Sequence, residues 1–155
     1  MGKHLLSCGL LVLSLLTASA RQVQGQENKA GGALQVRVDY SGSGRVDTSH
    51  KIYVALWDSP AFTDRSSNGQ VIPVQIQAID SKKGETVFKS VSKSPAYVSV
   101  VYDPSGQWDA QSGPPPSGSS LGLYSKEPGK AAPIDVKAGE TASVEVKFDD
   151  SVKMP

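Results

Sequence analysis

The chain has 155 residues, with 16 Lys and Arg against 15 Asp and Glu, and 1 Cys. Such an even charge balance lacks the positive surface that nucleic acids and anionic membranes select, so neither is an expected partner. Cys8 and His4 lie in the first twenty residues, and His50 is the only other histidine. The remainder of the chain therefore has no thiol for a disulfide, a nucleophile or a metal site, and too few histidines for a multi-histidine metal centre.

The first twenty residues have the layout of a cleaved export signal. A basic start over residues 1–4 precedes an apolar run from Leu5 to Leu16, and Ala18-Ser19-Ala20 fits the small-x-small pattern that signal peptidase cuts. The apolar run is too short to cross a hydrocarbon core of ~30 Å, so no permanent membrane span is expected. Residues 1–20 are interpreted as a signal peptide, and the mature chain as periplasmic or secreted.

The mature chain divides into a leader, one domain and a tail. Residues 21–32 are polar and show no periodicity, which is typical of a flexible leader. Residues 33–150 carry short alternating patterns, and residues 151–155 form a tail beyond the last of them. The length of this middle part matches a single domain with its own core.

Strand patterns recur through the domain. Leu34 to Tyr40 alternates strictly between apolar and polar residues, which predicts a half-buried strand. Six further segments are predicted as strands by the same criteria: His50–Trp57, Val74–Ile79, Glu85–Val91, Ala96–Tyr102, Ile134–Lys137 and Ala142–Phe148. Turn residues at Ser81–Gly84 and Ala138–Glu140 predict two hairpins, the first with Gly84 at a positive φ.

These patterns predict an all-β fold. About seven short strands without helical periodicity are typical of a single β-sandwich of the immunoglobulin-like or transthyretin-like type. Between Asp103 and Ser120 the chain has no strand pattern and is longer than an ordinary connection, which is typical of a functional or disordered loop. Pro114-Pro115-Pro116 is expected to stiffen this loop.

A cation site is one interpretation of the loop's acidic residues. Asp103, Ser105 and Asp109 offer oxygen atoms at spacings that suit a hard cation such as Ca²⁺, to which Asp149 and Asp150 would add ligands if the fold brings them close. The alternative is an ordinary turn, since Asp, Pro and Gly all favour turn positions. Apart from this weak Ca²⁺ candidate, no cofactor is expected.

Three aromatic residues are further candidates. Trp108 is the first choice for ligand binding, because its neighbours in the chain offer little apolar cover and an exposed indole stacks on sugars or anchors protein partners. Trp57 is a second choice, with packing at a strand end as the alternative. Tyr97 follows Ser94-Pro95 and fits a tyrosine corner, a structural role in which the phenol bonds a backbone group.

An enzyme interpretation has little material. It would combine His50 with loop carboxylates and a serine, but the adjacent Ser49 points to the opposite face of a strand. The sequence has no Gly-x-Ser-x-Gly elbow, Ser-x-x-Lys motif or phosphate-binding glycine loop. We expect no enzyme, with a hydrolase built on His50 and loop carboxylates as the alternative.

Two segments carry a resemblance to a known group. Lys51–Pro60 and Pro95–Asp103, with Gly106 and Asp109, resemble small exported bacterial β-sandwich proteins of uncharacterised function, with transthyretin-like or carboxypeptidase-regulatory-like domains. The resemblance implies a non-catalytic accessory domain. The expected function is a structural or binding role for an envelope or extracellular protein or glycan, with the 103–120 loop as contact surface. A carbohydrate-binding or calcium-binding accessory domain using that loop is the alternative.

Overall fold

The computed structural model describes residues 31–64 and 71–155, and within them the chain is all-β, as predicted. Residues 1–20 and most of the leader lie outside the described residues. The strands are β1 Gly32–Tyr40, β2 Ile52–Trp57, β3 Gln75–Ile79, β4 Lys83–Val91, β5 Tyr97–Tyr102, β6 Ser120–Leu123 and β7 Thr141–Phe148. One turn of 3₁₀ helix, Pro60–Thr63, follows β2. No helix in this part of the chain has the length and apolar character needed to span a bilayer.

The seven strands form two sheets, which confirms the predicted β-sandwich. One sheet has three strands in the order β4-β1-β7, and the other has four in the order β3-β2-β5-β6. Alternate residues of β1 and β2 point into the shared core, since successive side chains of a strand face opposite ways. These residues are 0–3% exposed: Leu34, Val36, Val38, Ile52, Val54 and Leu56.

The three-stranded sheet presents a polar outer face. The residues between the core positions of β1 pair with charged residues of β4: Arg37 lies 3.5 Å from Glu85, and Lys83 lies 3.3 Å from Asp39. On β7, Lys147 and Glu145 approach to 3.3 Å. Residues of this sheet therefore alternate between a polar outer face and an apolar core face, as expected of a sheet with one side in water.

The first predicted hairpin is wrong. The Ser81–Gly84 segment does connect β3 to β4, but the two strands belong to different sheets, so the chain crosses the sandwich there. Gly84 lies within β4, opposite Val38, and its φ is not positive. A glycine is needed for a different reason, because a Cβ at this position would lie 2.4 Å from a methyl group of Ile79.

The second predicted hairpin is also wrong. Residues 134–137 form no strand with β7; Ile134 instead exchanges two backbone hydrogen bonds of 2.9 Å with Ala96. β7 runs parallel to β1, from the pair Ala33–Thr141 to the pair Tyr40–Phe148. Gly139, at a φ of 76°, turns the chain into β7. The short strand β6 was not predicted.

Residues 151–155, interpreted as a tail, are paired with the segment around the start of β6. The Leu121 amide donates to the Val152 carbonyl (2.8 Å), and the Met154 amide donates to the Ser119 carbonyl (2.8 Å). A third bond runs from the Gly118 amide to the Met154 carbonyl (2.9 Å). These bonds partly cover the free edge of β6.

Asp150 ties one end of the sandwich together. Its Oδ1 accepts hydrogen bonds from the Tyr40 hydroxyl and the Ser120 hydroxyl, each 2.6 Å long, and its Oδ2 accepts from the amide (2.8 Å) and hydroxyl (2.9 Å) of Ser43. These bonds, that from Ser120 first, hold the pKa of Asp150 well below its usual range. Burial, with the bond to Asp150, raises the pKa of Tyr40 to about 12. This carboxylate thereby links β1, β6 and the end of β7.

Candidate functional site

The outer face of the four-stranded sheet differs from that of the other sheet, because it is largely apolar and aromatic. The outward positions of its strands are Tyr53, Ala55 and Trp57 on β2, Tyr97, Ser99 and Val101 on β5, Ile76 and Ala78 on β3, and Leu121 and Leu123 on β6. Ala55 and Val101 are 8% exposed, and the aromatic residues are half-buried. A sheet face that only meets water carries mostly polar residues, so this apolar face is a candidate interaction surface.

Trp108 covers one part of this face. The indole packs edge-on against Tyr53, with ring centroids 4.9 Å apart and the planes at 72°. Its Nε1 donates to the Gly113 carbonyl (3.2 Å), and this bond links the two sides of the loop segment 108–113. The residues next to Trp108 in sequence give it little apolar cover. Tyr53 on β2 provides that cover, so the Trp108 side chain is half-buried instead of fully exposed.

Two further hydrogen bonds fix the backbone of Trp108. Its amide donates to Asp103 Oδ2 (2.9 Å), and its carbonyl accepts from the Tyr53 hydroxyl (3.1 Å). Burial raises the pKa of Tyr53, with the negative charges of Asp103 and Asp109 adding to the effect, so the phenol remains a donor at neutral pH. Asp103 and Tyr53 together hold an indole in a fixed position although it lies in a long loop.

Asp103 is the anchor of the loop. Its carboxylate is 1% exposed and accepts hydrogen bonds from the Ser105 amide (2.8 Å), the Ser105 hydroxyl (2.7 Å) and the Gln107 amide (3.1 Å), besides that from Trp108. Burial by itself raises the pKa of Asp103, but the hydrogen bonds from Ser105, Trp108 and Gln107 outweigh it and keep the pKa below its ordinary value. The geometry is that of a turn whose carboxylate satisfies main-chain donors.

The residues of the cation interpretation do not converge on one point. Asp109 is exposed, and its Oδ1 accepts from the Gln111 amide (3.0 Å). Asp149 accepts the amide of Ser151, and Asp150 accepts the hydroxyls of the hydrogen-bond network described above. In the described ranges, three or more His, Cys, Asp or Glu side chains nowhere gather in an arrangement that would hold a metal ion. Calcium binding stays a prediction.

A cleft lies beside the Trp108–Tyr53 pair, between the loop and the edge strand β3. Its volume is about 250 Å³. It combines aromatic and aliphatic walls with two glutamines and one carboxylate, and its lining residues are Tyr53, Ile76, Gln77, Ala78, Trp108, Asp109, Ala110 and Gln111. Polar and apolar groups therefore share the lining of an open, shallow cleft.

Trp57 lies four residues further along β2 and does not join this cleft. Its ring stacks on Phe62 of the 3₁₀ turn, with centroids 4.6 Å apart and planes at 11°, and its Nε1 donates to the Ser99 hydroxyl (2.9 Å). This is the strand-end packing that the sequence offered as the alternative to ligand binding. The structure thus separates the two tryptophans into different parts of the outer face.

The tyrosine-corner role of Tyr97 stays a prediction. Tyr97 lies half-buried on the outer face, opposite Trp57. Two other tyrosines of the described residues donate to main-chain carbonyls: Tyr53 to that of Trp108 (3.1 Å) and Tyr102 to that of Arg45 (2.9 Å). Tyr102 faces the core, where its ring lies 4.9 Å from that of Tyr40, and from there it reaches the backbone of the opposite loop.

His50 is part of a second turn. Its Nδ1 lies 3.0 Å from Asp47 Oδ1, which also accepts the amides of Ser49 (2.9 Å) and His50 (2.8 Å). These bonds, the backbone bond from His50 first, lower the pKa of Asp47 to about 2. Gly106, at a φ of 66°, packs against this turn, where a Cβ would lie 2.7 Å from the Ser49 carbonyl. Asp47 and His50 therefore close a turn, and a hydrolase using His50 stays a prediction.

The comparisons with known proteins return no match to a family model, to a curated protein or to a solved structure. The candidate site accordingly rests on geometry. The sequence pointed to Trp108 but not to Tyr53, because the two residues are 55 positions apart and only the folding of the loop after β5 back onto β2 brings them together. The outward aromatic positions of β2 were the available signal.

Proposed function

We propose that this chain is an exported, non-catalytic binding module, periplasmic or secreted, and that its binding site is the cleft beside Trp108 and Tyr53. One observation carries the proposal. A large aromatic side chain in a long loop is held by three hydrogen bonds and a ring contact, with an open cleft beside it. A loop that served only to connect β5 and β6 would not need such an arrangement.

The fixed indole has a clear energetic value for binding. Ordering a side chain and its loop on binding costs about 0.5–1.5 kcal/mol for each immobilised side chain. Here Asp103 and Tyr53 impose that order before a ligand arrives. Aromatic side chains are also among the residues that contribute most to binding energy. Preorganisation of this kind favours a binding role over a role as a connection.

The surrounding surface supports the same conclusion. The two outer faces of the sandwich differ in character, since one carries surface ion pairs and the other carries outward aromatic and aliphatic residues. The cleft opens on the apolar face, next to the edge strand β3.

The test is a ligand-observed NMR screen with a fixed panel of neutral and charged monosaccharide glycosides, amino acids, dipeptides and aromatic acids. Saturation transfer to at least one compound is expected with the wild-type protein and should be lost in Trp108→Ala. Trp57→Ala is the matched control, since it also removes a half-buried indole from the same sheet face. Both variants are first checked for cooperative unfolding. Binding that survives in Trp108→Ala, or a panel without any bound compound, would overturn the proposal.

A further inference from the structure

We infer that the ligand of the cleft is a neutral pyranose, bound as a single ring of a glycan. This inference rests on the proposed function and adds the chemical class of the ligand. Three properties of the cleft carry it: the shape of its aromatic walls, the charges of its lining residues and its size.

The aromatic walls form a corner. Tyr53 and Trp108 both line the cleft and meet edge to face with their planes at 72°, so the cleft has an angled aromatic wall and not one flat platform. A pyranose ring has an apolar face of C–H groups and a polar rim of hydroxyls, and it fits such a corner by laying its C–H groups against the rings. A flat aromatic ligand would instead need a parallel slot. The hydroxyls then point away from the rings, toward the polar side of the cleft.

The lining charges select against acids. Asp109 is the one acidic residue among the described lining residues, and neither Lys nor Arg is present in that set. An anionic ligand would meet repulsion without a compensating cation. At a separation of about 4 Å in water, this repulsion weakens the affinity for an anion roughly fivefold. Gln77 and Gln111 also line the cleft, and an amide offers both donors and acceptors, which matches hydroxyl groups.

The size of the cleft limits the ligand to one ring. Its volume of about 250 Å³ lies below the range of about 300–1,000 Å³ that is usual for drug-sized ligands. An oligosaccharide would therefore place one unit in the cleft and leave the rest in solvent. The affinity for one ring is expected to be weak, and several copies of such a module on one polymer would increase it by avidity.

The experiment titrates the full mature chain with methyl β-glucopyranoside, methyl β-galactopyranoside, their uronate counterparts and a dipeptide control. Isothermal calorimetry and Trp108 fluorescence in a Trp57→Phe background are the two readouts. A neutral glycoside is expected to bind, to bind about fivefold more tightly than its uronate, and to lose about tenfold or more in affinity in Trp108→Ala. Asp109→Asn, which retains the oxygen that accepts the Gln111 amide, should bring the neutral sugar and the uronate to within about twofold.

Each outcome decides between the two proposals. A uronate that binds as tightly as the neutral sugar in the wild-type protein overturns the charge argument. If no glycoside binds but another panel compound still binds in a Trp108-dependent manner, the sugar class is wrong and the binding module stands. If nothing binds at Trp108, both are wrong.

Discussion

Replacing Asp150 with alanine should destabilise the fold strongly, because this carboxylate accepts hydrogen bonds from two buried hydroxyls. Tyr40 is 2% exposed and Ser120 is 0% exposed, and each donates a bond of 2.6 Å. A buried hydroxyl that loses its acceptor costs about 1–3 kcal/mol. The two bonds from Ser43 lie at the surface, where water replaces them, so they add little. The expected loss is about 4 kcal/mol, the sum of two mid-range penalties.

The assay is thermal unfolding followed by circular dichroism. For a domain of this size a loss of 1 kcal/mol lowers Tm by roughly 4 °C, so Asp150→Ala should lower it by about 15 °C. Asp149→Ala is the matched control, because its carboxylate is exposed and caps Ser151 at the surface. A decrease for Asp150→Ala no larger than that for Asp149→Ala would refute the account of the network.

Acid should remove the stability that the Asp150 carboxylate contributes to the fold. The hydrogen bonds from Ser120, Tyr40 and Ser43 hold the pKa of Asp150 well below its ordinary value, whereas in the unfolded chain the pKa is about 3.9. The unfolded state therefore binds more protons below about pH 5, so the stability due to this group is complete above that pH and decreases as the pH falls. The difference in unfolding free energy between wild type and Asp150→Ala should narrow below about pH 4. An equal difference at every pH would contradict the assignment.

The remaining predictions concern packing and three tyrosines. Gly122→Ala would place a Cβ 2.5 Å from the Cβ of Phe148, so it should lower the free energy of unfolding in urea by about 1–3 kcal/mol; an unchanged urea midpoint would show that the sheets separate easily there. Tyr102→Phe should cost about 1 kcal/mol through its lost hydrogen bond to a main-chain carbonyl, and Tyr97→Phe should cost less in the same urea assay; the reverse order would support the tyrosine-corner role of Tyr97. Burial and the hydrogen bond to Asp150 raise the pKa of Tyr40 to about 12, so Tyr40→Phe should remove one high-pH step from the ultraviolet absorbance measured in alkali.

Strand positions could be predicted from the sequence, because they depend on local periodicity. The alternation in β1 and the apolar run in β5 each identify a strand to within two residues. Strand partners could not be predicted in this way. The turn residues around Gly84 and Gly139 indicate where the chain changes direction, but a turn that crosses between sheets uses the same residue types as a hairpin.

The missed strand and the missed contact have one physical cause. β6 has four residues, Ser-Leu-Gly-Leu, and is held by its neighbours on both sides instead of by its own propensity. The partner of Trp108 is likewise determined by tertiary structure. Its apolar cover comes from Tyr53 on a strand 55 residues earlier, so a loop that is polar in sequence acquires an aromatic wall only after the sheet forms.

The parallel pairing of β1 with β7 sets an order in which the chain can fold. Leu34 pairs with Ala142, a separation of 108 residues (142 − 34), so half of the hydrogen-bonding capacity of β1 is unused until β7 is present. Such distant pairings are formed slowly, since the loop entropy is lost before any contact compensates for it. A chain emerging from its N-terminus would keep an open strand edge until nearly all of it has been made. Premature folding of an incomplete chain is thereby discouraged, because β1 stays without its β7 partner until residues 141–148 have been made.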